Sequence, residues 1–138
     1  MRAISTPERI HRGSNFEIKK GWGHELIICN ELDNKLITET GYCLKFLVFD
    51  DKNVGSMHFH AKKHETFYIL KGNFKLFYID PKNADELTMI LKEGDIVVIP
   101  PFNSHRIVCE EGGGTIIEAS SPDRAEDSYR VAKRDSQK

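Results

Sequence analysis

The sequence predicts an all-β protein, an antiparallel sandwich or barrel. Short segments rich in β-branched and aromatic residues follow one another along most of the chain. Turn signals such as Asp-Pro, Gly-Asn and Gly-Gly-Gly separate these segments about every ten residues, a spacing typical of this fold class. The length of 138 residues suits one domain with a core that needs no disulfide or metal staple.

Ten segments read as strands, because each combines strand-forming residues with flanking turn signals. They cover residues 24–30, 35–39, 42–50, 56–60, 65–71, 74–79, 87–92, 95–100, 104–109 and 114–120. Gly72-Asn73 predicts a hairpin turn, and Asp80-Pro81 opens a polar loop. Glycines 112–114 predict a turn rather than a phosphate loop, because no strand–GxGxxG–helix context surrounds them.

The ends of the chain are more polar than the middle. We interpret residues 22–120 as the barrel core of a single domain and residues 1–20 as an N-terminal arm that packs on a neighbouring subunit. The tail, residues 121–138, has a composition compatible with a short helix, and an ordered arm over the barrel is the alternative.

Composition narrows the class of partner. Lys and Arg number 20 against 21 Asp and Glu, so neither nucleic acid nor an anionic membrane is expected as a partner. The three cysteines, Cys29, Cys43 and Cys109, form no CxxC pair and are predicted to be core residues in a reducing compartment. The start of the chain lacks the apolar stretch of a signal peptide, and no apolar run is long enough to span a membrane. We therefore expect a cytoplasmic protein that takes a small-molecule substrate.

Four side chains of metal-ligand type, His58, His60, His64 and Glu65, are concentrated around one predicted strand end. His58 and His60 are two residues apart, so they share one face of a strand. Glu65 shares a face with Phe67 in the next strand and can meet the two histidines there. Two imidazoles and a carboxylate favour a divalent metal, whereas the competing interpretation is a solvated polar loop.

A further histidine lies in a later strand. His105 shares a face with Ile107 and Cys109, so we expect it to point into the core. A core histidine by itself is more often a hydrogen-bonded structural residue, but beside an incomplete ligand set it becomes the predicted fourth ligand. Fe, Mn, Ni, Zn and Co all accept this ligand set, and the sequence does not choose between them.

These residues carry a family resemblance. Gly55, His58, His60, Glu65 and Gly72 match the pattern G(x)nHxH(x)4E(x)6G, and Gly94, Pro100 and His105 match G(x)5P(x)4H. Together the two patterns resemble the motifs of the cupin superfamily over roughly residues 40–120. The resemblance implies a double-stranded β-helix, a jelly-roll barrel with a metal at its centre. Phe102 stands where cupins usually carry a glycine, and we expect its ring at the mouth of the pocket.

A narrower resemblance points to the C-terminal cupin domain of type II mannose-6-phosphate isomerases. It rests on "KGWGHEL" at 20–26, on "YCLKFLVF" with its internal Lys45, and on a closing acidic stretch. That stretch contains Glu118, Glu126, Asp127 and Arg130. Those enzymes have glutamine at the position of His58, so we expect this chain to differ from them in metal preference. The resemblance implies a sugar-phosphate isomerase or epimerase, and the family implies a homodimer.

Such an isomerase needs a metal to polarise a carbonyl and a base to move a proton between adjacent carbons. The candidate catalytic residues are Lys45, Glu118 and His64. The candidate substrate contacts are Trp22, Tyr68, Phe102 and Arg130. Two other functions suit the same ligands, an Fe(II)-dependent dioxygenase and a non-catalytic metal- or sugar-binding cupin.

Overall fold

The computed structural model describes residues 17–32 and 41–132. Within these ranges the chain forms twelve strands and one short 3-10 turn, Ala125–Asp127. The strands are β1 Glu17–Lys20, β2 Gly23–Leu32, β3 Gly41–Phe49, β4 Asn53–Val54, β5 Met57–Phe59, β6 Glu65–Lys71, β7 Phe74–Ile79, β8 Glu86–Leu91, β9 Ile96–Ile99, β10 His105–Cys109, β11 Gly114–Ser120 and β12 Tyr129–Ala132.

The strands form two antiparallel sheets. The first has the order β1-β2-β3-β11-β6-β9, and the second has the order β12-β5-β10-β7-β8, with β4 also paired to β10. This architecture is an all-β jelly-roll barrel, so the predicted fold class is confirmed. Nine of the ten predicted strands correspond to strands of the structure within two residues at each end. The tenth, 35–39, lies outside the described residues.

Alternating burial along the strands builds the core between the sheets. In β3 the buried positions are Cys43, Lys45, Leu47 and Phe49, every second residue. The ring of Trp22 stacks on Phe49 with a centroid separation of 4.4 Å. Fully buried aromatic and aliphatic side chains of this kind each contribute roughly 1.5–3 kcal/mol through removal from water.

The predicted hairpin at Gly72-Asn73 is wrong. β6 belongs to the first sheet and β7 to the second, so this link carries the chain between sheets instead of joining paired strands. Gly72 has φ +91°, and a Cβ there would lie 2.5 Å from the carbonyl oxygen of Gly113. Both facts favour glycine at the crossing. The turn at 112–114 is confirmed, with φ of +94° at Gly112 and +71° at Gly113.

Both ends of the described chain contribute strands. β1 pairs with β2 at the edge of the first sheet. The tail passes through the 3-10 turn and then adds β12 to β5 at the edge of the second sheet. The described part of the tail is thus an ordered segment over one end of the barrel. No helix among the described residues is long and apolar enough to cross a membrane.

Candidate metal centre

Three histidines converge inside the barrel at one end. His58 on β5 and His105 on β10 are directly opposite each other in adjacent strands, so their side chains leave the second sheet on the same face. His60 follows β5 by one residue and joins them. One ligand-type atom from each of the three lies within 4.8 Å of the others. This separation fits three imidazole ligands around one ion.

Hydrogen bonds to backbone carbonyls orient all three imidazoles. Nδ1 of His58 lies 3.1 Å from the carbonyl oxygen of Ser56. Nδ1 of His60 lies 2.8 Å from the carbonyl oxygen of Asp127, and Nδ1 of His105 lies 2.8 Å from that of Asn103. A carbonyl oxygen only accepts, so each Nδ1 carries the proton and each Nε2 keeps a free lone pair. Metal-binding histidines are typically held in this way by their second nitrogen.

Glu65 approaches the histidines from the opposite sheet. Its Oε2 lies 3.2 Å from Nε2 of His105, and its Oε1 lies 3.6 Å from Nε2 of His60. Oε2 is buried, and no described group donates a hydrogen bond to it. Lone pairs of a carboxylate and two imidazoles therefore face one another, an arrangement that a cation between them would stabilise. The donor set of three nitrogens and one carboxylate fits a divalent transition metal.

The electrostatic environment keeps these groups in their ligating forms. Burial lowers the pKa of His58 to about 3, assisted by the neighbouring His105 and His60. Burial also lowers the pKa of His60. Burial by itself raises the pKa of Glu65, but contacts with His105 and Lys63 outweigh it, and the pKa lies below its ordinary value. His58 and His60 are therefore neutral and Glu65 is ionised near pH 7, the forms that metal binding requires.

Comparison with known families agrees with the fold. Residues 46–116 match the model of the Cupin_2 family, described as the cupin domain. The chain is a cupin. A search of curated proteins found no match.

Solved structures with the same fold include three different cupins. KdgF from Halomonas sp. matches with a TM-score of 0.57 and 22% identity over 75% of this chain and 81% of that one. Oxalate decarboxylase from Bacillus subtilis matches with a TM-score of 0.72 and 16% identity over 93% of this chain and 33% of that one. CapF, a capsular polysaccharide assembling protein from Staphylococcus aureus, matches with a TM-score of 0.57 and 13% identity over 69% of this chain and 31% of that one. This cupin therefore spans about a third of the latter two, and at these identities the likeness shows the fold alone.

Asp127 organises the loop that carries His60. Its carboxylate accepts hydrogen bonds from the backbone N–H groups of Ala61, Lys62 and Lys63 at 2.9 to 3.2 Å. Its backbone carbonyl accepts the Nδ1 proton of His60. The sequence drew attention to Asp127 only through the isomerase resemblance. The contacts of Asp127 join residues more than 60 positions apart, so they leave no local pattern in the sequence.

A buried ionic network extends from Glu65 into the barrel. Nζ of Lys63 lies 3.1 Å from Glu65, 2.7 Å from Glu118 and 3.2 Å from Asp123. Nζ of Lys45 lies 3.0 Å from Asp123 and 3.9 Å from Glu118. A further carboxylate, Glu25, lies 3.2 Å from Nζ of Lys45. Two lysines thus meet four carboxyl groups, one of which faces the histidines. Lys63 is itself buried, which is unusual for a lysine.

The three candidate bases occupy two different environments. Burial lowers the pKa of Lys45, but Glu118, Glu25 and Asp123 outweigh it, and the pKa lies above its ordinary value. Burial is also the main cause that raises the pKa of Glu118. His64 is exposed, and its backbone N–H donates to Oγ of Ser121. Lys45 and Glu118 therefore connect to Glu65 through Lys63, whereas no described contact joins His64 to the histidines.

The candidate substrate contacts are also divided. Trp22 packs in the apolar core against Phe49, and Tyr68 lies on the outer face of β6, opposite in direction to Glu65 and Phe67. Phe102 is exposed, and its backbone N–H donates to the carbonyl oxygen of His60. Arg130 pairs with His58 across β12 and β5 and shares its face. The structure brings Arg130 and the Phe102 loop to the metal centre, and it places Trp22 and Tyr68 elsewhere.

Proposed function

We propose that this cupin binds one divalent metal ion through Nε2 of His58, His60 and His105 and the carboxylate of Glu65. We further propose that it acts on a small carbohydrate-type substrate, as a sugar-phosphate isomerase or epimerase. The observation that carries the proposal is the convergence of three histidine ligand atoms within 4.8 Å of one another, with Nε2 of His60 and of His105 next to the buried carboxylate of Glu65. When bound, a divalent ion polarises a carbonyl and orients neighbouring substrate oxygens.

The ionic network supports the metal assignment. Four carboxyl groups contact three lysines, Lys20, Lys45 and Lys63, so a cation beside Glu65 adds positive charge where carboxylates are in excess. Lys63 holds Oε1 of Glu65 at 3.1 Å, which leaves Oε2 directed at His105. We assign Lys63 the role of positioning Glu65 for the ion.

Of the candidate bases, Glu118 suits proton transfer best. Burial raises its pKa above the ordinary value of a carboxyl group, the direction that helps such a group take up a proton and return it. Lys45 has a raised pKa and stays protonated, so its role is to stabilise negative charge. His64 is proposed as a residue of the rim, because it is exposed.

Metal analysis of protein purified without added metal tests the proposal directly. We expect one equivalent of a divalent ion in the wild type and none in His60→Ala, which should keep the fold. His64→Ala, which changes an exposed histidine four residues away, is the matched control and should keep its metal. Full occupancy in His60→Ala would show that the ligand assignment is wrong.

A metal-replete sample then separates the possible functions. Turnover of sugar phosphates under argon would support the isomerase. Oxygen consumption with iron would support the alternative dioxygenase, since three histidines and a glutamate suit that chemistry equally well. Sugar binding without turnover would support a non-catalytic binding protein.

We also propose that the chain forms a homodimer, as its family resemblance implies. The outer face of the first sheet exposes apolar side chains that suit a second copy. They are Tyr68, Leu70, Ile96 and Val98. Light scattering after size-exclusion chromatography measures the mass, and a monomer at micromolar concentration would contradict the proposal.

A further inference from the structure

A continuous row of side chains crosses the inner face of the second sheet at the metal centre. The backbone register pairs Arg130 with His58, His58 with His105, His105 with Tyr78, and Tyr78 with Leu87. Directly opposed residues in antiparallel strands leave the sheet on the same face, with Cβ atoms about 4.5–5.5 Å apart. The two histidines therefore have Arg130 on one side and Tyr78 on the other.

The direction of Arg130 is supported by its neighbour in β12. The ring of Tyr129 stacks on that of Phe59 with a centroid separation of 5.1 Å and an interplanar angle of 17°. Phe59 and His58 are consecutive in a strand and point to opposite faces. Arg130 follows Tyr129 and so lies on the face of His58. Its side chain is exposed, as expected at the mouth of a pocket.

The charges inside the barrel make Arg130 the cation available to a ligand. Nζ of Lys45 and Nζ of Lys63 each lie 2.7 to 3.9 Å from three carboxylates, so both positive charges are already matched. Arg106 lies on the opposite face of β10 from His105. The ion pairs found among the described residues do not include Arg130. Its guanidinium presents a planar fork that binds a carboxylate or phosphate through two hydrogen bonds.

We propose that Arg130 and Tyr78 are the two ends of an oriented substrate subsite across the metal centre, and this rests on the proposed metal-dependent function. Arg130 binds a terminal oxyanion of the substrate, a carboxylate or a phosphate. Tyr78, half-buried beside His105, hydrogen-bonds a substrate oxygen at the opposite end. Leu87 contacts the carbon skeleton next to Tyr78. The substrate is thus a small anionic hydroxy-carbonyl compound that lies along this row.

Binding of three related probes to the Mn²⁺-loaded protein tests the subsite. The probes are glycerate, glyceraldehyde 3-phosphate and neutral glyceraldehyde, measured by calorimetry after metal content and circular dichroism are checked for each variant. Arg130→Gln should weaken binding of the anionic probes about tenfold or more, the scale expected for one lost charge-assisted contact, and should leave glyceraldehyde unchanged. Arg130→Lys should keep part of the affinity, because it keeps the charge but loses the fork.

Tyr78→Phe should weaken all three probes severalfold, because each offers a hydroxyl or carbonyl oxygen. Lys71→Gln removes an exposed positive charge from the opposite end of β6 and is the charge-matched control, expected to bind as the wild type. If Arg130→Gln loses more affinity for glycerate, the subsite favours a carboxylate. If it loses more affinity for glyceraldehyde 3-phosphate, the subsite favours a phosphate.

The possible failures are distinct. Protein that never retains metal would contradict the proposed function itself. Metal-loaded wild type that binds none of the probes, or Arg130→Gln that binds both anions as the wild type does, would overturn the subsite while leaving the metal centre intact. Unchanged binding of all three probes by Tyr78→Phe would remove Tyr78 from it.

Discussion

The two ends of the barrel use the same strands for opposite purposes. Along the inner face of β6, Glu65 is followed by Phe67 and Ile69. Along β10, His105 is followed by Ile107 and Cys109. On β3, Lys45 precedes Leu47 and Phe49, and on β11 Ile116 precedes Glu118. Each strand thus changes from apolar to ionisable at one inward position, and these positions meet at one end of the barrel.

This difference separates stability from chemistry. The apolar end is closed by aromatic contacts, such as the edge-on contact between Phe49 and Phe74 at 5.2 Å. Such contacts are favourable without any ligand. The ionisable end has desolvated charges whose cost must be offset by partners, and Oε2 of Glu65 lacks a described donor. The apolar end therefore stabilises the fold, and the ionisable end is poised for a cation.

The largest effect should come from breaking the apolar end. Phe74 is fully buried, so Phe74→Ala should lower the free energy of unfolding by about 3–5 kcal/mol through lost burial and a cavity. Urea denaturation of the metal-free protein measures the change. His60→Ala is the comparison at the ionisable end and should change this free energy far less. Equal destabilisation by both variants would contradict the division between the ends.

A second prediction concerns the loop at the ionisable end. Asp127→Ala removes the acceptor for three backbone N–H groups beside His60, so the imidazole should be held less firmly. Metal affinity should fall about 10- to 100-fold, the range typical of residues that orient a ligand. Competition with a chelator of known affinity measures it. Glu126→Ala changes the adjacent exposed carboxylate and should have no effect.

A smaller effect on the free energy of unfolding is expected when the pH is lowered, because Asp123 becomes protonated. Burial tends to raise the pKa of Asp123, but Lys63 and Lys45 lower it from 3.8 to about 2. Because the folded-state pKa lies below the unfolded one, this group stabilises the fold above about pH 4, and that contribution is lost as pH falls towards 2.

The variant Asp123→Asn removes the titrating group and so tests this contribution. Since the side chain is a third exposed, screening limits the contribution to about 1 kcal/mol, and stability between pH 2 and pH 4 should depend less steeply on pH in the variant. Denaturant unfolding at a series of pH values measures the slope. An unchanged slope would show that the two lysines do not lower the pKa of Asp123.

Local pattern predicted the strands and the face of each ligand, because side-chain direction in a strand depends only on position along it. The inward direction of Glu65 and of His105 followed from this period of two. The pattern left the direction of Lys45 undecided, since both faces of β3 carry apolar residues. It also missed the crossing at Gly72 and the contacts of Asp127, because these depend on packing between distant segments.

The smallest predicted effect lies where the sequence departs from the cupin pattern. Phe102 has φ +68°, a left-handed conformation that glycine adopts without strain and that costs other residues about 1–2 kcal/mol. Phe102→Gly should therefore stabilise the protein by about 0.5–1 kcal/mol, since relief of strain is partly offset by the entropy that glycine loses on folding. Thermal unfolding measures the shift, with Phe102→Ala as the control that keeps the strain and removes the ring. If both variants are equally destabilised, the phenyl ring contributes more through its contact with Phe59, 6.3 Å away between centroids, than the backbone conformation costs.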